Sequence, residues 1–392
     1  AYKHVVDDMR SRDTLESNSG WPLFSRRNDP EVLASTFNDI ENGNWKTYPA
    51  IILFRNYKAK TRMVWMYPMS TNIVEGSFCQ PLKEALLSKK LDFFSPWRGY
   101  DHVLSSITRS YDAGKFLAAS DFSHTDEYFT RFDTLEVYDV IKHAFQPRYW
   151  ADLKESMLRI NEIPVVVGVN KIIHGWHGVS SGSTWTNDIE SYYDLIFEFL
   201  FSLMKLVSKI SDAIGDDIKH ERDTYLKQLA AELAKVYKMA NKDVNEEKVT
   251  NFPDHVIYLQ RLTIRGYRSD RQFTDIHGNH LTLLRGIYSS VWALYSSMQP
   301  EKFHSPKMMR RFGLKAKDMN ASRLFMIAEN LIDHPLFDDY VKFICKGNPY
   351  LVEFAKKTDV ELNEITEKSH LLPGFNPTYN QEKRDLGLAA FA

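Results

Sequence analysis

The sequence predicts an α+β fold in which a small antiparallel sheet is backed by helices packed on one face. Three observations predict it. Lys115-Phe-Leu-Ala-Ala-Ser-Asp-Phe122 is an apolar run of strand length that ends on a charge. From Asn187 onward, Ile189, Tyr192, Tyr193, Ile196, Phe199, Leu200, Leu203 and Val207 recur at helical spacing. Asp212 to Lys219 then turns back on itself at Gly215, as a tight strand-turn-strand.

The other elements follow in order. Ser17-Asn-Ser-Gly-Trp-Pro22 is a turn. Ile51-Ile-Leu-Phe54 and Met63-Val-Trp-Met-Tyr67 read as strands flanking a basic loop. Residues 75–110 read as helical, with breaks at Pro81 and Pro96. A helix is expected over Asp126 to Ala144, another over Thr224 to Ala240, and a strand begins at Val256. After about residue 270 the chain reads as mainly helical.

At 392 residues, 43% of them hydrophobic, the chain can bury a large core and is unlike a disordered sequence. Fifty basic and 51 acidic residues leave a net charge of -1, so bulk charge gives no nucleic-acid signal. Basic groups lining an internal channel are compatible with that total. Cys79 and Cys345 are far apart and lack metal-ligand spacing, as in a reducing compartment. The polar start is no signal peptide, and the most apolar run, Leu195 to Val207, contains Glu198 and is too short to span a membrane. The first residue is Ala and not Met, as in a fragment or a processed product.

The chemistry gathers around carboxylates. Asp121 ends a buried strand, where an unpaired charge is costly. Asp126 follows after a short turn, so both can face one cleft. Asp216 and Asp217 sit on the hairpin, where Gly215 permits tight backbone geometry. Two such carboxylates can share divalent metal ions, and Mg²⁺ favours carboxylates plus substrate phosphates. His174 and His177 have H-x-x-H spacing but no third ligand nearby, so zinc is not expected. Trp and Tyr side chains can stack on bases, although most belong to the core.

In order, Asp121-Phe-Ser-His-Thr-Asp126, Ser181-Gly-Ser-Thr-Trp-Thr-Asn187 and Gly215-Asp216-Asp217 resemble the palm of a viral RNA-directed RNA polymerase. Arg62-Met-Val-Trp-Met-Tyr-Pro68, with Glu75, Phe78, Pro81 and Leu82, resembles the fingers motif of picobirnavirus polymerases and, as second choice, of partitivirus polymerases. Ser19-Gly20-Trp21-Pro22 resembles their upstream motif by the template entrance. Asn245-Glu-Glu-Lys248 and Val256-Ile-Tyr-Leu-Gln-Arg261 fall where the later palm motifs belong. The likeness covers about residues 17–265.

The resemblance implies a right-hand polymerase. Its fingers would be residues 1–110, lacking an amino-terminal part if the chain is truncated, with an insertion at 127–170. The palm would be 111–126 and 171–268, and the thumb and tail 269–392. It implies that Asp121, Asp216 and Asp217 bind two Mg²⁺ ions, with Mn²⁺ as a substitute. Lys248 resembles the general acid for departing pyrophosphate, with Lys238 and Lys242 as rivals. Lys58, Lys60 and Arg62 would hold the triphosphate, and Arg62 can grip phosphate bidentately. Ser181 and Gly182 would form the mobile nucleotide-positioning loop, and Thr186 and Asn187 start a helix where plain capping is the alternative. Asp126 and Asn187 would sense ribose hydroxyls, with Glu190 a departure from the Asn or Asp of many relatives. Ser19, Gly20, Arg265 and Arg268 would contact RNA. A second basic stretch, Lys307, Arg310, Arg311, Lys315 and Lys317, falls in the thumb.

The implied partners are template and product RNA, nucleoside triphosphates and a viral capsid protein, with no membrane. The implied places are the virion interior and the host cytoplasm, and the implied template is a double-stranded RNA genome. A reverse transcriptase shares the palm but usually carries an aromatic and a variable residue before the paired aspartates, where this chain has Ile214-Gly215. A non-enzymatic RNA-binding or capsid protein needs no three separated acidic sites.

Overall fold

The computed structural model describes residues 2–11, 14–57, 60–121, 125–242, 249–300 and 303–372. The chain opens with α1 (Tyr2–Ser11) and α2 (Pro30–Glu41). Asp29 caps α2 by accepting from the Glu31 N–H, and Pro30 starts it, where a missing N–H costs nothing. The expected strand pair is an antiparallel hairpin of β1 (Ala50–Tyr57) and β2 (Lys60–Met66).

Next come α3 (Met69–Ser88) and α4 (Tyr100–Asp112). Pro81 lies inside α3 and does not end it. Burial of Ile73, Val74, Cys79 and Leu82 on both sides of the helix outweighs the lost backbone hydrogen bond. Pro96 does mark an irregular helical segment before α4.

Strand β3 (Phe116–Asp121) is followed by α5 (Thr125–Tyr128), α6 (Arg131–Ile141) and α7 (Trp150–Glu162). The single helix expected from Asp126 to Ala144 is thus divided. Thr130 and Asp133 form a capping box that restarts the chain as α6. β4 (Val165–Gly168) and β5 (Lys171–Ile173) form a hairpin that sequence reading missed, turning at Asn170 with φ 61°. β4 joins β1 in parallel, giving a four-stranded sheet in the order β2-β1-β4-β5.

The centre follows the expected order. α8 (Thr186–Leu203) leads to the hairpin of β6 (Ala213–Ile214) and β7 (Asp217–Arg222), and α9 (Leu229–Met239) follows. With β8 (Thr250–Asn251) these strands make an antiparallel sheet in the order β6-β7-β3-β8. Ala118 and Ile218 pack with α8 and α9 in the largest core cluster. Leu117 and Ala119, on alternate positions, pack against Val103, Leu104 and Ile107 of α4. Helices therefore cover both faces of the sheet, not one. The continuous apolar run of β3 is the physical reason, since a strand buried on both sides does not alternate.

β9 (His255–Tyr258) and β10 (Arg261–Ile264) pair, and β11 (Arg268–Thr274) pairs with β12 (His280–Leu284). β13 (Ile287–Tyr288) adds to β10. The helical region expected from about residue 270 therefore begins later. The hairpin turns at Gly278, φ 86°, with Asp275 accepting from the His277 and Asn279 N–H groups. The helices that follow are α10 (Ser290–Met298), α11 (Pro306–Arg311), α12 (Ala316–Asn330), α13 (Phe337–Gly347), α14 (Tyr350–Phe354) and α15 (Asp359–His370).

Candidate active site

β3 ends on Asp121, β7 begins on Asp217, and the two are register partners across the sheet. Gly215 and Asp216 form the turn between β6 and β7, with Gly215 at φ 59°. The left-handed backbone explains the glycine. The first two turns of α8 clasp this hairpin. The Gly215 N–H donates to Ser191 Oγ at 2.8 Å, and that hydroxyl donates to the Asn187 carbonyl at 2.7 Å. A Cβ on Gly215 would lie 3.1 Å from Asn187 Oδ1 and 3.6 Å from Glu190 Oε2. Asn187 and Glu190 thus both lie against the turn. The fold brings together the end of β3, the start of α8 and the hairpin, three stretches far apart in sequence.

Asp194, one turn further along α8, is fully buried, and neither carboxylate oxygen has a hydrogen-bond partner among the described residues. Burial pushes its pKa well above the usual carboxylate range, and the charges of Asp216, Glu190, Glu198 and Asp217 push the same way. Glu198, a further turn on, meets His220 Nδ1 at 2.5 Å, and His220 Nε2 lies 2.8 Å from Ser120 Oγ. This buried chain ties α8 to β7 and to the residue before Asp121. Lys219 on β7 pairs with Asp212 at 3.0 Å and donates to Ser106 Oγ at 2.9 Å, also fully buried. Sequence reading missed both networks. Their signal was Lys219-His220-Glu221, three polar residues inside a strand that the pattern makes internal.

The Ser181 loop is held from α3. Ser183 Oγ and the Thr184 N–H each donate to the Glu75 carboxylate at 2.7 Å, and Asn72 Nδ2 donates to the Gly182 carbonyl at 3.1 Å. Glu75 is fully buried, and that burial raises its pKa to about 7, with the bonds from Ser183, Thr184 and Asn72 opposing the rise. A Cβ on Gly182 would lie 1.9 Å from the Trp65 carbonyl oxygen, so only glycine fits. Thr186 is not a helix cap. Its hydroxyl donates to the Ser180 carbonyl at 2.6 Å and contacts the Ser183 carbonyl at 3.2 Å, which closes the loop on itself. Ser181 is exposed at the tip.

Arg62 lies on β2 directly opposite Arg55 of β1, both exposed. Lys58 and Lys248 lie outside the described residues, and for Lys60, Asp121 and Asp126 the backbone alone is described. Lys242, a rival of Lys248 in the sequence, is buried. It pairs with Asp133 at 2.7 Å, donates to the Tyr128 carbonyl at 2.7 Å and lies over the rings of Phe129 and Tyr193. Its ammonium is committed to the fold.

Ser19 is buried, with its hydroxyl on the Gly20 carbonyl, and Gly20, at φ 71°, leaves room for the Tyr67 carbonyl. Arg265 donates to the carbonyls of Tyr111 and Lys115 and lies over the Tyr111 and Phe116 rings. Arg268 donates to the Thr282 carbonyl at 2.6 Å and to Asp112 at 2.5 Å. Both guanidinium groups are engaged within the protein.

A model of the family described as viral RNA-dependent RNA polymerase matches residues 57–273, more than half of the chain. The chain belongs to this family. The matched span contains Arg62, Asp121, the Ser181 loop and the Gly215 hairpin. A protein of human picobirnavirus described as a potential RNA-dependent RNA polymerase is 26% identical over 356 residues, covering 85% of this chain and 62% of that protein. The chain thus spans 62% of the length of that curated relative. The crystal structure of the RNA-dependent RNA polymerase of a human picobirnavirus superposes with a TM-score of 0.75 at 21% identity, covering 96% of this chain and 71% of that one. The sicinivirus 3Dpol polymerase gives 0.55 at 15% identity over 91% of this chain and 77% of that one. These likenesses show the fold, a right-hand polymerase with an antiparallel central sheet.

Proposed function

We propose that this chain is an RNA-directed RNA polymerase. The 3′-hydroxyl of a primer or initiating nucleotide attacks the α-phosphate of a nucleoside triphosphate, a phosphodiester bond forms and pyrophosphate leaves. The observation that carries the reading is the pairing of Asp121 with Asp217 beside a Gly215-Asp216 turn clasped by the start of α8.

Asp121, Asp216 and Asp217 would hold two Mg²⁺ ions, or Mn²⁺ in their place. The donor chemistry fits. Asp194, with neither oxygen hydrogen-bonded among the described residues, is held toward its neutral form first by burial and then by the charges of Asp216, Glu190, Glu198 and Asp217, so several carboxylates crowd the hairpin. Among the described residues no three His, Cys, Asp or Glu side chains form a ready-made metal cage. Mg²⁺ takes few protein ligands and fills its shell from water and substrate phosphates. When bound, the ions neutralise charge on the attacking and leaving oxygens.

The remaining roles belong to side chains. Arg62, with Lys58 and Lys60, grips the triphosphate. Gly182 and Ser181 let the loop approach the nucleotide, and Thr186 closes that loop. Asn187, against the hairpin, reads a ribose hydroxyl together with Asp126. Lys248 protonates pyrophosphate. Ser19, Gly20, Arg265 and Arg268 shape the RNA path, the two arginines through the backbone they hold. The residue ranges given for fingers, palm and thumb follow from the same reading.

By kinship with picobirnavirus polymerases, the template is viral RNA of a double-stranded genome, copied and transcribed inside or beside a capsid and in the host cytoplasm. Among the described residues no helix is long and apolar enough to cross a membrane.

Primer extension on an RNA template with Mg²⁺ tests the proposal. Wild-type protein adds ribonucleotides in preference to deoxyribonucleotides. Asp216→Ala abolishes addition while RNA binding and the melting temperature stay near wild type. Equal synthesis by the variant overturns the site, and a preference for deoxyribonucleotides overturns the assignment of product.

A further inference from the structure

Outside the carboxylate site, one surface combines exposed aromatic area with a guanidinium stacked against it. Trp176 stands in the loop between β5 and the Ser181 loop and is 53% exposed. The Arg131 guanidinium lies over its indole, 3.9 Å from the ring centroid. Phe132, the next residue, is 68% exposed, and the same guanidinium is 5.7 Å from its ring. Arg131 Nε is buried and has no hydrogen-bond partner among the described residues, and the Arg131 charge lies close enough to Glu162 to oppose the rise that burial gives its pKa.

The position of the group is informative. His177, next to Trp176, packs on Trp65 with ring centroids 4.8 Å apart. Trp65 belongs to β2, the strand of Arg62, and its carbonyl is the atom that excludes any side chain at position 182. Arg131 opens α6, the helix after the short α5 that contains Asp126. Trp176 is thus one residue from a contact chain to the Ser181 loop, and Arg131 and Phe132 start the helix that follows α5.

We propose that Trp176, Arg131 and Phe132 form a stacking platform for single-stranded RNA next to the active site. Exposed aromatic rings accept bases whatever their sequence, because every base presents a π-face. A guanidinium stacked on an indole keeps its edge N–H groups available for a phosphate, which a plain hydrophobic contact does not offer. The same residue types also anchor protein interfaces. Adjacency to the Ser181 loop and to the strand of Arg62 favours RNA. The inference rests on the polymerase reading above.

Fluorescence anisotropy with a labelled single-stranded RNA of about twelve nucleotides at fixed salt tests it, beside a blunt RNA duplex of the same length. Trp176→Leu is expected to weaken single-strand binding on the order of ten-fold, Trp176→Phe to stay within about two-fold, and neither to change duplex binding. Arg131→Gln is expected to weaken binding and to lower the salt slope by roughly one. Single-strand binding by Trp176→Leu equal to wild type overturns the platform, as does an equal loss on the duplex. Unchanged RNA binding with altered sedimentation assigns the face to a protein contact and also overturns it. If wild type extends primers while Trp176→Leu binds normally, the platform alone fails. If wild type neither binds nor extends RNA, the polymerase reading fails and takes the platform with it.

Discussion

Glu75 gives the sharpest quantitative prediction. Its carboxylate is fully buried on α3 and accepts from Ser183 Oγ and the Thr184 N–H, each at 2.7 Å. Burial raises its pKa from 4.5 to about 7 in spite of those bonds. A carboxyl that holds its proton more tightly when folded works against folding once the pH exceeds its unfolded value. The penalty is absent below 4.5, grows between 4.5 and about 7, and is constant above that. At roughly 1.36 kcal/mol per pH unit, the interval is worth about 3 kcal/mol.

Glu75→Gln keeps the volume and one acceptor, and its amide can donate to the Ser183 hydroxyl, which rotates to accept. The variant carries no such titration. Urea unfolding of both proteins, followed by tryptophan fluorescence at about pH 5 and about pH 8, measures the difference. The variant should gain on wild type as pH rises, by about 3 kcal/mol across the whole window. A difference that does not change with pH, or wild type gaining on the variant as pH rises, refutes the reasoning.

Gly182→Ala would force a Cβ to 1.9 Å from the Trp65 carbonyl. It should lower stability by about 1–3 kcal/mol or more and stop primer extension, and a wild-type melting curve would contradict the geometry. Lys242→Met leaves Asp133 buried without its cation and should cost about 3–5 kcal/mol in denaturant unfolding, with Asp133→Asn added to it costing much less than a second such loss. Asn187→Ala should reduce discrimination between ribo- and deoxyribonucleotides in single-turnover incorporation while stability moves by less than about 1 kcal/mol. Unchanged discrimination would remove Asn187 from hydroxyl recognition.

The parts of the fold that read well from sequence were encoded locally. The apolar run of β3, the helical spacing of α8 and the glycine of the hairpin each lie within a single element. The order of those elements then brought Asp121, Asn187 and Gly215 together. What stayed hidden depends on distant partners. Nothing near Glu75 indicates that it grips Ser183, more than a hundred residues later. Arg265 and Arg268 read as RNA contacts, yet they bond backbone and Asp112, and the nearby Arg271 bridges Asp101 and Asp333. Lys242 read as a rival for the general acid, yet it is buried against Asp133 and two aromatic rings. The β11–β12 hairpin was lost in a stretch whose polar strands lack a strong apolar alternation.

The central claim is that the end of β3 and the Gly215 hairpin hold the same metal ions. Substituting Fe²⁺ for Mg²⁺ and generating hydroxyl radicals cuts the backbone near bound metal, and the fragments can be mapped by mass spectrometry. Wild-type protein should be cut near Asp121 and near Asp216-Asp217, both sets of cuts should be suppressed by excess Mg²⁺, and both should disappear in Asp216→Ala. Cuts at only one of the two segments, or cuts at Asp121 that survive in Asp216→Ala, would contradict a shared site.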